Sequence, residues 1–472
     1  MLQTYSLKMC YTRYGDTMTK DLTCGKPSKV IFTFCLPLFA SVIFQQLYNI
    51  ADSLVAGNFI ENGESAIAAI GNSYEITLVY LAFAFGCNMG CSVIVSRFFG
   101  QKAINKAKAS IYTALITTTI TCLILMVLGL TLGETILRLI KTPENLLADS
   151  KLYLDIYTYG LLFVFIYNLC TGIFSAFGDS KTPFIFLAIS SIANVFMDIV
   201  FVVVFQMGIA GVAWATFICQ GISSILSFVI VLYRIKKLKP FENEIDTVKS
   251  FDFRLLKTML IIAIPSILQQ SFVSIGNILI QSVINSFGES TMAGYSAVIK
   301  LQNLVVTGLT TLSNGISNYT AQNLGRGKID RIRPGFISGL KLTLILIIPF
   351  SIIYFFFGKY IVQIFLKEGT SSDAIEVANN FLRIIAPFYI LVATKLIADG
   401  VIRGYAKMGL FMTDTFLDLG LRVGLAFLFP YVFHLGSNGI WLSWPIGWGL
   451  SMGLAVIFYI FVTKDKNKNL YE

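Results

Sequence analysis

The sequence predicts an all-α polytopic membrane protein with twelve transmembrane helices in two pseudo-symmetric halves of six. Three observations predict this fold: the composition, the recurrence of apolar runs and an internal repeat. Of the 472 residues, 56% are hydrophobic and only 13% are charged, whereas about a quarter of a soluble protein is charged. Continuous apolar runs near 20 residues recur along the chain, which is typical of membrane helices and not of alternating barrel strands.

The apolar runs place helices at roughly 30–56, 66–96, 107–132, 152–177, 183–205, 210–233, 259–286, 292–322, 334–357, 377–402, 410–433 and 439–462. The predicted organisation is therefore a cytoplasmic segment 1–29, an N-lobe 30–233, a cytoplasmic linker 234–257, a C-lobe 258–462 and a cytoplasmic tail 463–472. The polar stretch before Met18 shows no cleavable signal peptide, and Met18 is the expected natural start.

The net charge of +10 belongs to short loops between apolar runs, so we expect the lipid bilayer and no nucleic acid as a partner. Of the 36 Lys and Arg residues, 26 fall in the two termini, in the even-to-odd loops or, for Lys108, in the first turn of the helix that follows such a loop. Because positive charge accumulates on the cytoplasmic side, both termini are predicted to be cytoplasmic, in a bacterial inner membrane.

The second half repeats the first at a nearly constant shift along the chain. The shift that carries Pro37 onto Pro265 also carries Gly172 onto Gly400. Gly208 and Gly211 match Gly436 and Gly439 at the same shift, while one short gap opens and closes in between. Because each half has six helices, both halves have the same orientation in the membrane. This arrangement predicts a parallel repeat with substrate and ion sites near the middle of the membrane.

Several polar residues of the first half have no counterpart in the second. The repeat pairs Asp52 with Ile280 and Asn194 with Arg422. It pairs Asp198 with Ala426 and Thr216 with Trp444. Asp52, Asp198 and Thr216 lie about 6–11 Å from the predicted outer helix ends, at about 1.5 Å per residue. Asn194 and Asp198 share a helix face. Two carboxylates with amide and hydroxyl oxygens either bind a hard cation or share a proton, and the sequence does not choose between them.

These residues resemble the multidrug and toxic compound extrusion (MATE) family, in its DinF/MepA-like bacterial branch. The resemblance lies in Leu36–Pro37, Gln45–Gly57, Gly178–Pro183, Asn194–Asp198, Gly211–Thr216 and Asn438–Pro445. It implies two six-helix bundles in a V and antiport of drugs against a cation. It also implies that Asp52, Asn194, Asp198 and Thr216 form the cation-coupling site, and the metal site if the ion is Na⁺. Cofactors are not expected beyond a coupling ion, Na⁺ or H⁺.

Other charges fall inside predicted helices and are candidates for a substrate cleft. Glu75 and Lys300 are repeat-equivalent and either pair or make separate polar contacts. Two pairs of opposite charges are each one helical turn apart: Lys395 with Asp399, and Asp418 with Arg422. This spacing predicts local ion pairs, which are either structural or part of a network that contacts substrate or relays protons. Asp414 is expected to be hydrated near the cytoplasmic end.

The predicted function is export of small organic compounds, lipophilic cations foremost, by alternating access in a monomer. The alternative is a flippase of lipids or lipid-linked oligosaccharides from the same superfamily, which commonly has a strongly cationic cleft. The intramembrane acids at least match the bases, which favours cationic or neutral drugs or metabolites. An enzyme is not expected, because the single histidine and the cysteines lack partners for nucleophilic or metal chemistry.

Overall fold

The computed structural model describes residues 20–60, 63–140, 142–240, 248–365 and 372–464. The side chains of four residues inside helices, Glu64, Glu75, Ile364 and Phe365, lie outside this description. Every regular element within the described ranges is helical. This all-helical architecture agrees with the predicted fold class.

The first half contains seven α-helices: α1 (Pro27–Phe59), α2 (Gly63–Gln101), α3 (Ile104–Leu139), α4 (Glu144–Tyr159), α5 (Leu161–Ala176), α6 (Lys181–Ile199) and α7 (Gly208–Lys237). A π-helical turn, Val200–Val204, continues α6. The second half contains α8 (Phe253–Asn285), α9 (Glu289–Gly325), α10 (Ile332–Phe365), α11 (Ser372–Ile385), α12 (Tyr389–Gly404), α13 (Met408–Tyr431) and α14 (Gly436–Lys464). Short 3₁₀ turns, Ile329–Arg331 and Ala386–Phe388, precede α10 and α12.

Each of the twelve predicted intervals coincides with a helix or with a broken pair of helices. In the described part of the chain, nine helices are long and apolar enough to cross a membrane, or ten if the bent pair α4 and α5 is one span. The chain is therefore a multi-pass membrane protein. The number of twelve crossings stays a prediction.

The fourth predicted helix differs from the structure in its start and in its shape. It begins at Glu144 rather than near residue 152, because Pro143 and the acidic Glu144 favour a helix start that the apolar run does not reveal. At Gly160 it bends by 49° into α5. A Cβ at Gly160 would lie 3.0 Å from the ring of Phe217, so the bend brings α7 against the bare backbone.

The chain divides into two compact units. Unit 1 comprises the described residues up to Leu22 and Leu36–Ile267, and unit 2 comprises Thr23–Cys35 and the described residues from Leu268 onward. The beginning of α1 thus belongs to unit 2, and the beginning of α8 belongs to unit 1.

Within each unit the helices pack in the same pattern. In unit 1, α2 packs against α5, α5 against α7 and α6 against α7. In unit 2, the corresponding pairs are α9 with α12, α12 with α14 and α13 with α14. Gly172 on α5 lies against Asn88 of α2, and its repeat partner Gly400 on α12 lies against Ser313 of α9. The repeat in the sequence is therefore a repeat in helix packing.

Candidate functional site

Two carboxyl groups from different helices of unit 1 meet at the predicted coupling site. Asp52 projects from α1 and is partly exposed, whereas Asp198 near the end of α6 is fully buried. The two carboxyl groups lie within hydrogen-bonding reach of each other. Neither carboxylate oxygen of Asp198 has a hydrogen-bond donor among the described residues. Two acids in this contact need a proton or a cation between them.

Asn194 and Thr216 complete this coupling site, which we define as Asp52, Asn194, Asp198 and Thr216. The amide orientation that satisfies both polar atoms of Asn194 has Nδ2 donating to Asp52 Oδ1 at 3.1 Å. In that orientation Asn194 Oδ1 accepts from the backbone N–H of Thr216 at 3.3 Å. The structure thus brings together, from α1, α6 and α7, all four residues that the sequence places at one depth.

The π-helical turn and a glycine position the α6 and α7 parts of the site. The turn begins at Val200, two residues after Asp198, and a π turn inside an α-helix often marks a functional site. A Cβ on Gly211 would lie 3.2 Å from the backbone carbon of Phe201, so the missing side chain lets α7 approach this turn. That approach places Thr216 beside Asn194.

A small apolar cluster closes one side of the site. It consists of Val55, Ala56, Val202 and Val212, all at most 5% exposed. Val55 and Ala56 follow Asp52 by about one turn, Val202 follows Asp198 by four residues, and Val212 precedes Thr216 by four. The cluster therefore lies one turn beyond the polar residues on each of the three helices. It separates the carboxyl groups from the helix ends at Phe59, Val204 and Gly208.

Tyrosines surround the carboxyl pair, although none of them was predicted from the sequence. Tyr48 of α1 and Tyr153 of α4 both interact electrostatically with Asp52, and Tyr74 and Tyr157 interact with both tyrosines. The position of Tyr48, one turn before Asp52, was a readable signal for a shared helix face. Tyr153 was not predictable in this way, because α4 reaches the site only through its packing.

The donor set fits a hard cation or a proton. Carboxylate, amide and hydroxyl oxygens are the ligands that Na⁺-like cations prefer. The Asp198 oxygens, which have no hydrogen-bond donor in the described part of the chain, are available as such ligands. The described ranges contain no group of three or more His, Cys, Asp or Glu side chains that could hold a metal ion. The site therefore suits a weakly held coupling ion better than a tightly held transition metal.

The positions in unit 2 that correspond to the two acids are apolar. Ile280 and Ala426 are fully buried in a hydrophobic cluster that also contains Trp444. Arg422, which corresponds to Asn194, has its guanidinium carbon 4.4 Å from the ring centroid of Trp444. Among the described residues, unit 1 therefore carries the carboxyl pair, and the equivalent positions of unit 2 do not.

The remaining predicted cleft residues have different surroundings. Lys300 is exposed on α9, while the side chain of Glu75 on α2 lies outside the described residues, so their pairing stays a prediction. The expected ion pair of Lys395 with Asp399 is present, with Nζ 3.1 Å from Oδ2. Asp418 and Arg422, which are both described, do not form the expected ion pair, because Arg422 packs on Trp444 instead.

The expectation that Asp414 is hydrated near the cytoplasmic end is wrong. Asp414 is fully buried, not hydrated, and its Oδ2 lies 3.0 Å from Lys395 Nζ. Spacing along the sequence could not reveal this contact, because Lys395 and Asp414 belong to different helices.

Comparison with known proteins agrees with the internal repeat and with the fold. The sequence model of the MatE family matches residues 37–200 and again residues 265–428. The displacement between the two matches equals the shift of the internal repeat, and together they cover more than half of the chain. This polytopic helical protein with an intramembrane carboxyl pair is a membrane transporter. The chain belongs to the MATE family.

Relatives of known name match almost the full length. The probable multidrug resistance protein YpnP of Bacillus subtilis is 29% identical over 440 residues, covering 93% of this chain and 94% of the relative. The probable multidrug resistance protein YoeA of the same organism is 27% identical, covering 96% and 98%. A solved structure of a MOP superfamily transporter from Pyrococcus furiosus has a TM-score of 0.89 at 18% identity, covering 96% of this chain and 100% of that one. The last likeness establishes the fold.

Proposed function

We propose that this transporter is a secondary active antiporter that exports small organic compounds, lipophilic cations foremost, in exchange for Na⁺ or H⁺. The observation that carries the proposal is the contact between Asp52 and Asp198 across two helices, where both oxygens of Asp198 lack a hydrogen-bond donor among the described residues. The names of the two Bacillus subtilis relatives, probable multidrug resistance proteins, support drugs or similar compounds as cargo.

Electrostatics explains why the coupling site needs an ion. Two ionised carboxylates about 4 Å apart repel by about 4 kcal/mol at an effective dielectric constant of 20. A bound Na⁺ or a shared proton removes this repulsion and holds α1 against α6. Loss of the ion leaves the repulsion unbalanced and favours separation of the two helices. Ion occupancy is thereby linked to helix position, as coupled transport requires.

The apolar cluster of Val55, Ala56, Val202 and Val212 gives the site a direction. With cytoplasmic termini, as the distribution of Lys and Arg predicts, this cluster lies on the outer side of the carboxyl pair in a bacterial inner membrane. A dry cluster resists passage of water and ions. Ions then reach Asp52 past Tyr48, one turn toward the cytoplasmic end of α1, until a conformational change opens the other side.

Charge and aromatic rings favour cationic cargo. Among the described residues, no base pairs with the two carboxylates of the coupling site, and Tyr48 and Tyr153 interact with Asp52. Lipophilic cations bind to carboxylates and to aromatic faces. Cargo and coupling ion then compete for Asp52, the more exposed acid, which is the simplest basis of antiport.

The proposal is tested in proteoliposomes that contain a fluorescent lipophilic cation. Transport is measured under an imposed Na⁺ gradient and, separately, under a pH gradient, for wild type, Asp52→Asn and Asp198→Asn. Asp155→Asn serves as the matched control, because Asp155 is a partly buried acid of unit 1 that pairs with Lys151 outside the coupling site. We expect one gradient to drive transport in wild type and control, and both coupling-site variants to lose the response while still binding the dye.

Two other outcomes would contradict the proposal. Normal gradient-driven transport in both coupling-site variants would remove Asp52 and Asp198 from coupling. Failure of either gradient to move the dye through the wild-type protein would reject drug antiport. Fluorescent lipid scrambling in the same vesicles would then test the flippase alternative.

A further inference from the structure

In unit 2 a guanidinium group lies where unit 1 has the coupling site. Arg422 on α13 occupies the repeat position of Asn194, and the positions of the two coupling-site acids hold Ile280 and Ala426. The repeat therefore keeps the place in the fold but reverses its charge. Unit 1 has two carboxyl groups there, and unit 2 has a single base.

Arg422 is a buried cation that has no anionic partner in the described part of the chain. It is 6% exposed, and none of the ion pairs among the described residues includes it. Asp418 is one turn away on the same helix, but it is partly exposed and makes no ion pair with Arg422. A buried charge is strongly unfavourable unless it is paired and hydrogen-bonded.

Buried hydrogen-bond donors accompany this charge. Arg422 Nε and the indole Nε1 atoms of Trp441 and Trp444 are buried without a hydrogen-bond acceptor among the described residues. The guanidinium carbon of Arg422 lies 4.4 Å from the ring centroid of Trp444. The ring of Trp441 stacks on Tyr295 at 5.8 Å, and Tyr295 interacts electrostatically with Arg422. One positive charge and three donors without acceptors thus belong to the same group of side chains.

An anion would satisfy these side chains better than an aromatic ring or a water molecule. The ring of Trp444 offsets part of the charge of Arg422, but the Nε hydrogen still has no acceptor. A buried water molecule supplies an acceptor but no negative charge. A halide ion or a carboxylate group supplies both, and hydrogen bonds from a charged donor are the strong ones.

Aromatic packing limits the size of the ligand. The ring centroid of Phe381 lies 4.7 Å from that of Trp441 and 6.1 Å from that of Trp444. All three rings are at most 3% exposed. Phe381 corresponds to Tyr153 of unit 1, so the rings line the equivalent place in each repeat. Walls this close suit a halide ion or a single carboxylate group.

We propose that Arg422, with the indole N–H groups of Trp441 and Trp444, binds a small monovalent anion in unit 2. The ligand is a halide such as chloride or the carboxylate group of a small organic compound. The site is the repeat counterpart of the cation-coupling site, with the opposite charge. The proposal concerns anion binding and does not rest on the proposed antiport.

Thermal unfolding of the purified full-length protein in nanodiscs tests the proposal. The buffers contain the same concentration of Na⁺ as chloride, bromide, acetate or gluconate, so occupancy of the coupling site by Na⁺ does not vary. The variants are Arg422→Met and, as the matched control, Arg383→Met, because Arg383 is an exposed arginine on α11 of the same unit. Methionine in place of a buried arginine is expected to fold, because it removes the charge and keeps apolar packing.

We expect wild type and Arg383→Met to unfold a few degrees higher in a small anion than in gluconate, which is too large for the site. Arg422→Met should lose this difference, and Arg422→Lys should need more anion for the same rise. Stabilisation by chloride and bromide alone identifies a halide site, and stabilisation by acetate alone identifies a carboxylate site.

Two outcomes would overturn the proposal. One is a wild-type protein that is equally stable in all four salts, and the other is an anion effect that persists unchanged in Arg422→Met. Where bromide stabilises the protein, crystals grown in bromide give its position by anomalous diffraction. We expect a peak beside Arg422 Nε, and peaks only at other places would remove the anion from this site.

Discussion

Arg422 in unit 2 occupies the repeat position of Asn194 in unit 1, and the two residues contact repeat-equivalent partners. Asn194 accepts from the backbone of Thr216, and Arg422 lies over the ring of Trp444, the residue that corresponds to Thr216. The two repeats thus keep the same helices in contact here but change the chemistry. Unit 1 has a neutral amide at this position, whereas unit 2 has a guanidinium cation.

The contact of Arg422 with Trp444 gives the first prediction. Trp444→Phe is expected to lower the free energy of unfolding by about 0.5–2 kcal/mol more than Trp448→Phe, since only the first change weakens a cation–π contact. Trp448 is the matched control because it is equally buried in the same hydrophobic cluster. Thermal unfolding measures the difference. If the excess loss persisted when Arg422 is replaced by Met, the contact would not be its source.

Asp198→Asn is predicted to be more stable than wild type in buffer without Na⁺ at neutral or alkaline pH. The amide can donate a hydrogen bond to Asp52 and removes a like charge, so a gain of about 1 kcal/mol is expected. A ligand that binds only the folded protein stabilises it by about 2.7 kcal/mol at a hundred times its dissociation constant. Wild type is therefore expected to gain stability from Na⁺ or from acid, and Asp198→Asn to lose this response.

Thermal unfolding in NaCl and in choline chloride, each over a pH series, checks this prediction. Asp155→Asn is again the control and should keep the wild-type response. An Asp198→Asn protein that still gained stability from the same ion would place the ion elsewhere.

The buried ion pair of Asp179 with Arg234 in unit 1 predicts a strong non-additive effect. Arg234 donates to Asp179 Oδ2 at 2.6 Å and to Thr182 Oγ1 at 3.0 Å, and both charged residues are buried. Asp179→Asn should cost about 3–5 kcal/mol because Arg234 keeps a buried charge without its partner. Adding Arg234→Met should recover part of that loss. Equal and additive losses in a double-mutant cycle would contradict a direct pair.

Close helix packing at Gly400 is expected to make a larger side chain destabilising there. A Cβ at this position would lie 2.5 Å from the backbone oxygen of Ser313, whereas a Cβ at Gly420 on α13 meets nothing within 4 Å. Gly400→Ala should therefore destabilise by about 1–3 kcal/mol through overpacking. Gly420→Ala should be neutral or stabilise by up to about 1 kcal/mol through helix propensity. Thermal unfolding of both variants decides, and equal effects would refute the packing account.

Much of the fold was predictable because its cause is local in the chain. Apolar runs predicted all twelve helical intervals, since hydropathy over about 20 residues is a property of one segment. The helix start at Glu144 and the bend at Gly160 were missed. The start depends on a Pro–Glu signal outside the apolar run, and at the bend the backbone of Gly160 packs against the ring of Phe217 from another helix.

In the candidate sites, too, contacts within one helix were easier to predict than contacts between helices. The pairing of Lys395 with Asp399 was predictable because residues four apart on a helix are neighbours by geometry. The same spacing failed for Asp418 and Arg422, because the ring of Trp444 on α14 offers Arg422 a different partner. Asp414 was misplaced because its burial depends on the packing of α13 against α12.

The sequence by itself determined the membrane helices, the internal repeat and the set of acids that only one half carries. Those properties follow from composition and spacing along a single chain. Only the tertiary structure decided that Asp52 meets Asp198, that Tyr153 approaches them and that Lys395 holds Asp414. Such contacts depend on how each helix is rotated and how closely it approaches its neighbours, and side-chain packing between distant segments sets both.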